Sequence, residues 1–206
     1  MILTTALTAA VAGNIRINNN AVDLLRWQVL ANLNAAKRMI LASAPLEMLD
    51  EPKTVLCDFK SAFSAYQWPA DYIRFVKIWV RYSANSRFIE CRPLADDSLE
   101  SPVSLDRQGT ITSPKVGLNL ERGYVLQPTP AADVSGGIRL RYIYDLPDMS
   151  DTQDCLLDVK WRNLLEFKAS ELSAAVEGSK PDLVTKFGDK FTEAWKLMIP
   201  KVEPPK

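Results

Sequence analysis

The sequence has no histidine. It therefore lacks the side chain whose unperturbed pKa lies nearest neutrality, which is also the commonest metal ligand, and any Ser-His-Asp or Cys-His nucleophile arrangement is ruled out. Cysteine is scarce: Cys57, Cys91 and Cys155 stand far apart, with no Cys-x-x-Cys pair. That excludes a disulfide framework and a four-ligand zinc site, and leaves three thiols expected to be buried in a reducing compartment. The eight glycines form no Walker-type phosphate loop, no GxGxxG and no GxSxG elbow. No run approaches the ~18 apolar residues of a membrane span. Neither charge is in excess, with 25 basic against 25 acidic side chains and a pI near 6.4. A protein that holds nucleic acid along its outer surface draws its affinity mostly from phosphate neutralisation and would show a basic surplus.

What remains is the composition of a soluble globular chain, 47% hydrophobic and 24% charged over 206 residues. At this length about 70% of the unfolded surface can be buried, enough for one good core or two small ones. The apolar stretch 2–11 leads into Ala10-Val11-Ala12, which resembles a cleavage site, but it lacks a basic leader and is not read as a signal peptide. A short helix over 4–12 fits there instead.

Residues 21–44 carry the first strong helical period. Val22, Leu25, Val29, Leu33, Ala36 and Ile40 recur at steps of three and four, with Asp23, Arg26, Asn34 and Lys37 assigned largely to the opposite, solvated face. Asn20 is the expected N-cap and Pro45 the stop. From about 55 to 147 the pattern changes to alternation and turn residues. Strands are expected over 72–82, 87–92, 116–120, 124–127 and 138–144. The second pairs with the first across Ala84-Asn85-Ser86, the next two meet at Glu121-Arg122-Gly123, and the last starts from a Gly136-Gly137 turn. Prolines 69, 93, 102, 114, 128 and 130 fall at strand ends, where no ladder bond is lost.

Helical spacing returns after Pro147. Ser150 with Gln153 has the form of a capping box; Trp161, Leu165, Ala169, Leu172 and Val176 mark one face, and Gly178 gives a stop. A further helix starts at Ser179-Lys180-Pro181-Asp182, with Leu183, Phe187, Phe191, Ala194 and Met198 as its stripe. The expected class is α+β: a helical module from 1–54 and 148–200, an antiparallel β-rich insertion over 55–147, and an extended tail over 201–206. Leu25, Val29, Leu33, Ile40, Trp161, Leu165, Leu172, Phe187 and Phe191 form the expected helical core, because the C-terminal helices offer the only apolar faces of similar length to cover residues 21–44.

Few residues suggest chemistry. Asp145, Asp148, Asp151, Asp154 and Asp158 could hold a divalent cation, yet they step by three and four with no calcium-loop glycine. The plainer reading gives them to a turn and a helix N-terminus. Asp96, Asp97 and Glu100 sit in a Pro/Ser-rich setting and read as a solvated loop. Tyr66, Trp68, Tyr72, Trp79 and Tyr82 could stack bases, but the sheet core is the simpler assignment, and Arg139 and Arg141 read as the wet side of a strand. No catalytic residue, metal site or cofactor is expected, so the chain reads as one that assembles rather than one that catalyses.

The linear order of signals resembles a known family. The helix Leu33-Asn34-Ala35-Ala36-Lys37-Arg38-Met39-Ile40 ending at Ala44-Pro45, then Trp68-Pro69-Ala70-Asp71-Tyr72 at the entry to the long strand, then Arg92-Pro93-Leu94 occur in the order seen in head–tail connector (adaptor) proteins of tailed bacteriophages. Tyr124-Val125-Leu126-Gln127-Pro128-Thr129-Pro130 and Leu140-Arg141-Tyr142-Ile143-Tyr144-Asp145-Leu146-Pro147 continue it. The tail tubular protein A group is a related variant. The resemblance spans about 21–199; Trp68 stands where the family usually has leucine, and the first twenty residues match nothing in it.

The resemblance implies a virion structural protein of the neck, made in the host cytoplasm. Its partners would be further copies of itself in a homo-oligomeric ring (a dodecamer in the usual case), the phage portal protein, and a tail or stopper protein. DNA would pass through the lumen without specific binding, and no membrane would be involved. Lys201, Val202, Glu203, Pro204, Pro205 and Lys206 are the portal-docking candidates. The alternatives are a tail completion or terminator protein, and a cation-binding enzyme built on Asp145 to Asp158.

Overall fold

Helix-forming sequence at both ends of the chain encloses strand-forming sequence in the middle. The computed structural model, which describes residues 2–15, 19–93, 104–105, 111–119, 123–177 and 181–199, follows that division. The fold is α+β, with N- and C-terminal helices and a β insertion between them. Two compact units result: Met1–Asp50 with Asp145–Lys206, and Glu51–Tyr144.

The first unit contains α1 (Thr4–Ile15), α2 (Asn19–Ser43), α3 (Arg162–Glu177) and α4 (Pro181–Met198). In α1 the four-residue steps Leu7, Val11 and Ile15 give a buried stripe. Its first amide, on Thr4, is capped by Asp154 Oδ1 at 3.0 Å. Ahead of it, Ile2 forms a two-bond bridge with Cys155. In α2 the helix begins at Asn19, so Asn20 lies inside it and is not the cap. Any residue of an asparagine run can open a helix, and propagation took one more. Ala44 N donates to Ile40 O at 2.8 Å before Pro45 ends the helix.

Ser150 and Gln153 do make reciprocal bonds: Ser150 Oγ accepts from Gln153 N at 3.1 Å, and Ser150 N donates to Gln153 O at 3.0 Å. They close a turn rather than open a helix, because the chain beyond them extends to bridge Ile2. Asp158 does the capping, its carboxylate accepting from Lys160 N at the one-turn 3-10 segment Val159–Trp161 that leads into α3. Pro181 fills the first position of α4, where its missing amide costs nothing.

The four helices centre on α3, which packs against each of the other three; α4 rests on α3 rather than along α2. Val29, Leu33, Ile40, Trp161, Leu165 and Phe187 are buried, each large apolar side chain worth about 1.5–3 kcal/mol. Leu172 and Phe191 are half-buried, and the side chain of Leu25 lies outside the described ones. Val176, assigned to the apolar face, is exposed, as is usual where an amphipathic stripe runs past the helix that covers it. Gly178 also lies outside the described residues.

The second unit holds β1 (Lys53–Phe59), β2 (Ala65–Tyr66), β3 (Tyr72–Val80), β4 (Ile89–Glu90), β5 (Arg92–Pro93), β6 (Ser104–Leu105), β7 (Ile111–Ser113), β8 (Lys115–Asn119), β9 (Gly123–Gln127) and β10 (Val134–Tyr144). One sheet runs β1-β10-β3-β4, a second β2-β9-β8-β5, and β6 with β7 form a ribbon. Between the two four-stranded sheets, Phe59, Ile78, Leu126, Ile138, Leu140 and Tyr142 are among the buried residues of one core.

Three details depart from the sequence reading. The edge strand β1 alternates in burial but not in hydropathy, because Leu56 faces outward between Val55 and Cys57, and it takes its place by pairing with β10. Arg92–Pro93 leaves the hairpin and pairs in parallel with β8 in the other sheet. The glycine pair lies inside β10 instead of forming a turn before it. A Cβ on Gly137 would come within 2.7 Å of Phe59 Cβ, so the glycine is needed for close strand approach. Among the thiols, Cys91 and Cys155 are buried but Cys57 is only half-buried, since β1 lies at the sheet edge.

Tyr66, Trp68, Tyr72 and Tyr82 pack against the inter-sheet core. Trp68 stacks on Tyr72 at 4.1 Å between ring centroids, and Tyr66 on Tyr124 at 5.4 Å. These faces are already occupied by other rings; Trp79, assigned to the core, instead stands on the outer face of β3 opposite Arg139.

Candidate functional site

The most chemically suggestive stretch is the aspartate run; Asp145, Asp148, Asp151 and Asp154 are held by residues distant in the chain, and Asp158 caps its own turn. Lys37 of α2 is completely buried although it is charged. Burial of an ammonium is tolerated only where oxygen ligands replace water. Its Nζ donates to the carbonyls of Leu146 and Pro147, the latter at 3.2 Å, and to Asp148 Oδ1 at 3.0 Å; Asp145 Oδ1 stands at 3.0 Å as an ion pair. Arg38, the next residue, binds the same two carboxylates from outside, with Nε 2.6 Å from Asp145 and Nη2 2.8 and 2.9 Å from the two oxygens of Asp148.

These contacts have electrostatic consequences. Burial works against ionisation of Asp148, but the hydrogen bond and charge of Lys37, joined by those of Arg38, outweigh it and hold the carboxyl below its ordinary range. The hydrogen bond to Asp145 in turn raises the Arg38 guanidinium above its ordinary value.

One turn earlier, Asn34 is buried and trades two bonds with the main chain of Met149. Asn34 and Lys37 therefore do not lie on a solvated face of α2. The helix has a second buried face, and it is polar because it grips a segment of irregular backbone whose amide and carbonyls need partners. This grip also explains why residues 145–147 belong with the helices and the β unit ends at Tyr144.

The other three aspartates are committed as well. Asp151 pairs with Arg26 at 2.6 Å. Asp154 caps α1. Asp158 is lowered chiefly by the bond from Lys160 N at the helix entry. The five carboxylates serve four tasks, Asp145 and Asp148 sharing the grip on Lys37 and Arg38, and among the described residues no cluster of metal-ligating side chains is present. Each of the five carboxylates already has a protein partner that a cation would have to displace. The sequence did contain a clue to the grip: Asp145-Leu146-Pro147-Asp148 flanks a non-helical dipeptide with two acids, and Lys37-Arg38 is the only adjacent basic pair in the chain's helix-forming parts.

Elsewhere in this unit, Met39, Ser43, Lys168, Phe191, Thr192 and Trp195 line an open groove of about 490 Å³. Trp27 on α2 is 65% exposed and Leu197 on α4 is 82% exposed. Lys201, Val202, Glu203, Pro204, Pro205 and Lys206 lie outside the described residues, as do Asp96, Asp97 and Glu100. No helix among the described residues is long and apolar enough to cross a membrane.

The helical module carries an inserted β unit, and the aspartate run that follows the insertion in the chain is bound by the module's own side chains and backbone. The chain belongs to the SU10 adaptor protein family, whose model matches residues 4–178. It is thus a bacteriophage structural adaptor, a virion component that works with other phage head and tail proteins. The match begins at α1, so the N-terminal residues that resembled nothing in the sequence belong to the family domain, and it stops before α4. No curated protein matches the chain.

Proposed function

We propose that the protein is a head–tail adaptor that forms a closed ring beneath the portal, extends the DNA channel and docks the tail or a stopper. The family match over 4–178 carries this reading. A ring needs a head-to-tail contact between two unlike faces whose rotation closes. The helical unit offers unlike elements for such a contact, with the exposed Trp27 on α2 and the exposed Leu197 on α4 as apolar side chains a neighbour would cover. Zero net charge suits a channel through which DNA slides without being held. The segment Lys201 to Lys206, rich in proline and charge, suits a strap that docks on the portal.

Imaging the purified protein by negative stain, alone and mixed with its portal, tests the reading. A ring attached to the portal is expected, in the dodecameric form usual for such adaptors, and its attachment is expected to be lost when residues 201–206 are deleted. Rings that attach only to tail tubes would identify a tail completion protein. Particles that stay monomeric with both partners would remove the ring altogether.

A further inference from the structure

The outer face of the β1-β10-β3-β4 sheet carries two arginines that have no carboxylate partner among the described residues. Ile138, Leu140 and Tyr142 of β10 turn into the core, so Arg139 and Arg141 stand on the opposite side. The register places Arg139 between Leu56 and Trp79, and Arg141 between Thr54 and Lys77. Lys77 is balanced by Glu90 at 3.2 Å. Among the described residues, neither Arg139 nor Arg141 has a carboxylate partner, and the Nε of Arg141 is buried without a hydrogen bond. The Arg139 guanidinium lies 4.0 Å from the centroid of Phe88, whose ring also faces Arg81 at 5.2 Å. Beside them Leu56 is 60% exposed. The result is a preorganised patch: a guanidinium held against an aromatic ring keeps its N–H edges free for a bidentate acceptor.

We propose that this face docks a protein segment bearing carboxylates beside apolar side chains. Arg139 and Arg141 are alternate residues of one strand, about 7 Å apart along it, and alternate side chains of an extended acidic segment repeat at that distance. A nucleic acid fits less well. Two free guanidiniums would release few counterions, and Leu56, Trp79 and Phe88 would gain nothing from a phosphate backbone, whereas arginine and tryptophan are the residues that anchor protein interfaces. This proposal is independent of the ring reading, because it concerns the β unit and is tested on the free protein.

The test is fluorescence anisotropy of the full chain with labelled synthetic peptides in which glutamate alternates with leucine or phenylalanine. Glutamine-substituted peptides and a duplex DNA serve as controls. The acidic peptide is expected to bind, and R139Q/R141Q is expected to weaken it about tenfold or more, as loss of charge-assisted bonds implies, with an unchanged melting temperature. L56S is expected to weaken it as well. The proposal is overturned if the wild-type chain does not bind the peptide or if R139Q/R141Q leaves binding intact. It is equally overturned if the DNA binds more tightly through the same arginines, if R139Q/R141Q breaks an assembly of this chain with itself, or if D96N/D97N/E100Q exposes the patch by freeing it from the chain's own acidic stretch.

Discussion

Asn34 and Met149 are joined by a pair of hydrogen bonds, Asn34 Nδ2 to the Met149 carbonyl at 3.1 Å and Met149 N to Asn34 Oδ1 at 2.8 Å. The side-chain amide acts as a short piece of β-ladder and gives a buried, non-helical residue the partners that secondary structure would otherwise supply. Replacing it by alanine leaves a buried donor and a buried acceptor unsatisfied. Asn34→Ala should therefore cost about 2–4 kcal/mol, read from urea unfolding of the purified protein. Asn34→Asp should be worse than Asn34→Gln, because a carboxylate would face the Met149 carbonyl.

Lys37 and Asp148 share an ion pair but should not be equally important. Lys37 is fully buried and also serves two carbonyls, whereas the Asp148 side chain is 52% exposed and Arg38 supports the same carboxylate. Lys37→Ala should cost about 3 kcal/mol, and Asp148→Asn no more than about 1 kcal/mol, as befits a half-solvated pair. A double-mutant cycle on the two, by urea denaturation, checks the asymmetry. Equal losses would mean that the carbonyl contacts carry little weight.

The sequence revealed the parts of the fold that follow from periodicity. Leu33, Ala36 and Ile40 announced α2, and Ile78 and Val80 with their alternating neighbours announced β3. It concealed what depends on partners distant in the chain. Lys37 is polar, so a helical wheel puts it in water. Only the carbonyls of Leu146 and Pro147, more than a hundred residues away, make its burial tolerable. β1 is an edge strand with Leu56 facing out, and its place is fixed by β10 rather than by its own pattern. The aspartate run was legible as acidic spacing, but its members' separate tasks required Thr4, Arg26, Lys37 and Arg38 to be in position.

Calcium or magnesium in excess should leave the melting temperature unchanged. Binding of a cation to the native state alone would raise it by mass action, but Asp145, Asp148 and Asp151 already face protein cations and Asp154 and Asp158 cap helical turns. Displacing those partners would cost what the metal gained. A calorimetric scan with each ion and with chelator checks this, and a cation-dependent rise would reopen the metal reading.

Stability should be flat around neutrality and fall at both extremes. With no histidine, no unperturbed side chain titrates between about pH 5 and 8. At the acid end, Asp148, Asp71 and Asp58 have carboxyls held below their ordinary value in the folded protein. Their contribution is present above the unfolded pKa of about 3.9 and is lost as pH falls through the lower folded values. At the alkaline end, burial, then the hydrogen bond to Asp71 and its charge, push the Tyr142 hydroxyl up to about 12. The neutral phenol is the favoured folded form, so its contribution holds below its ordinary pKa of about 10 and fades as pH rises toward about 12. Tyr142→Phe should flatten that alkaline decline while lowering stability at pH 7 by about 1 kcal/mol, the net worth of one hydrogen bond. Urea midpoints measured across the pH range check both limbs. An alkaline decline of the same steepness in the phenylalanine variant would show that another group, such as the buried Cys91 thiol, also raised to about 12, controls it.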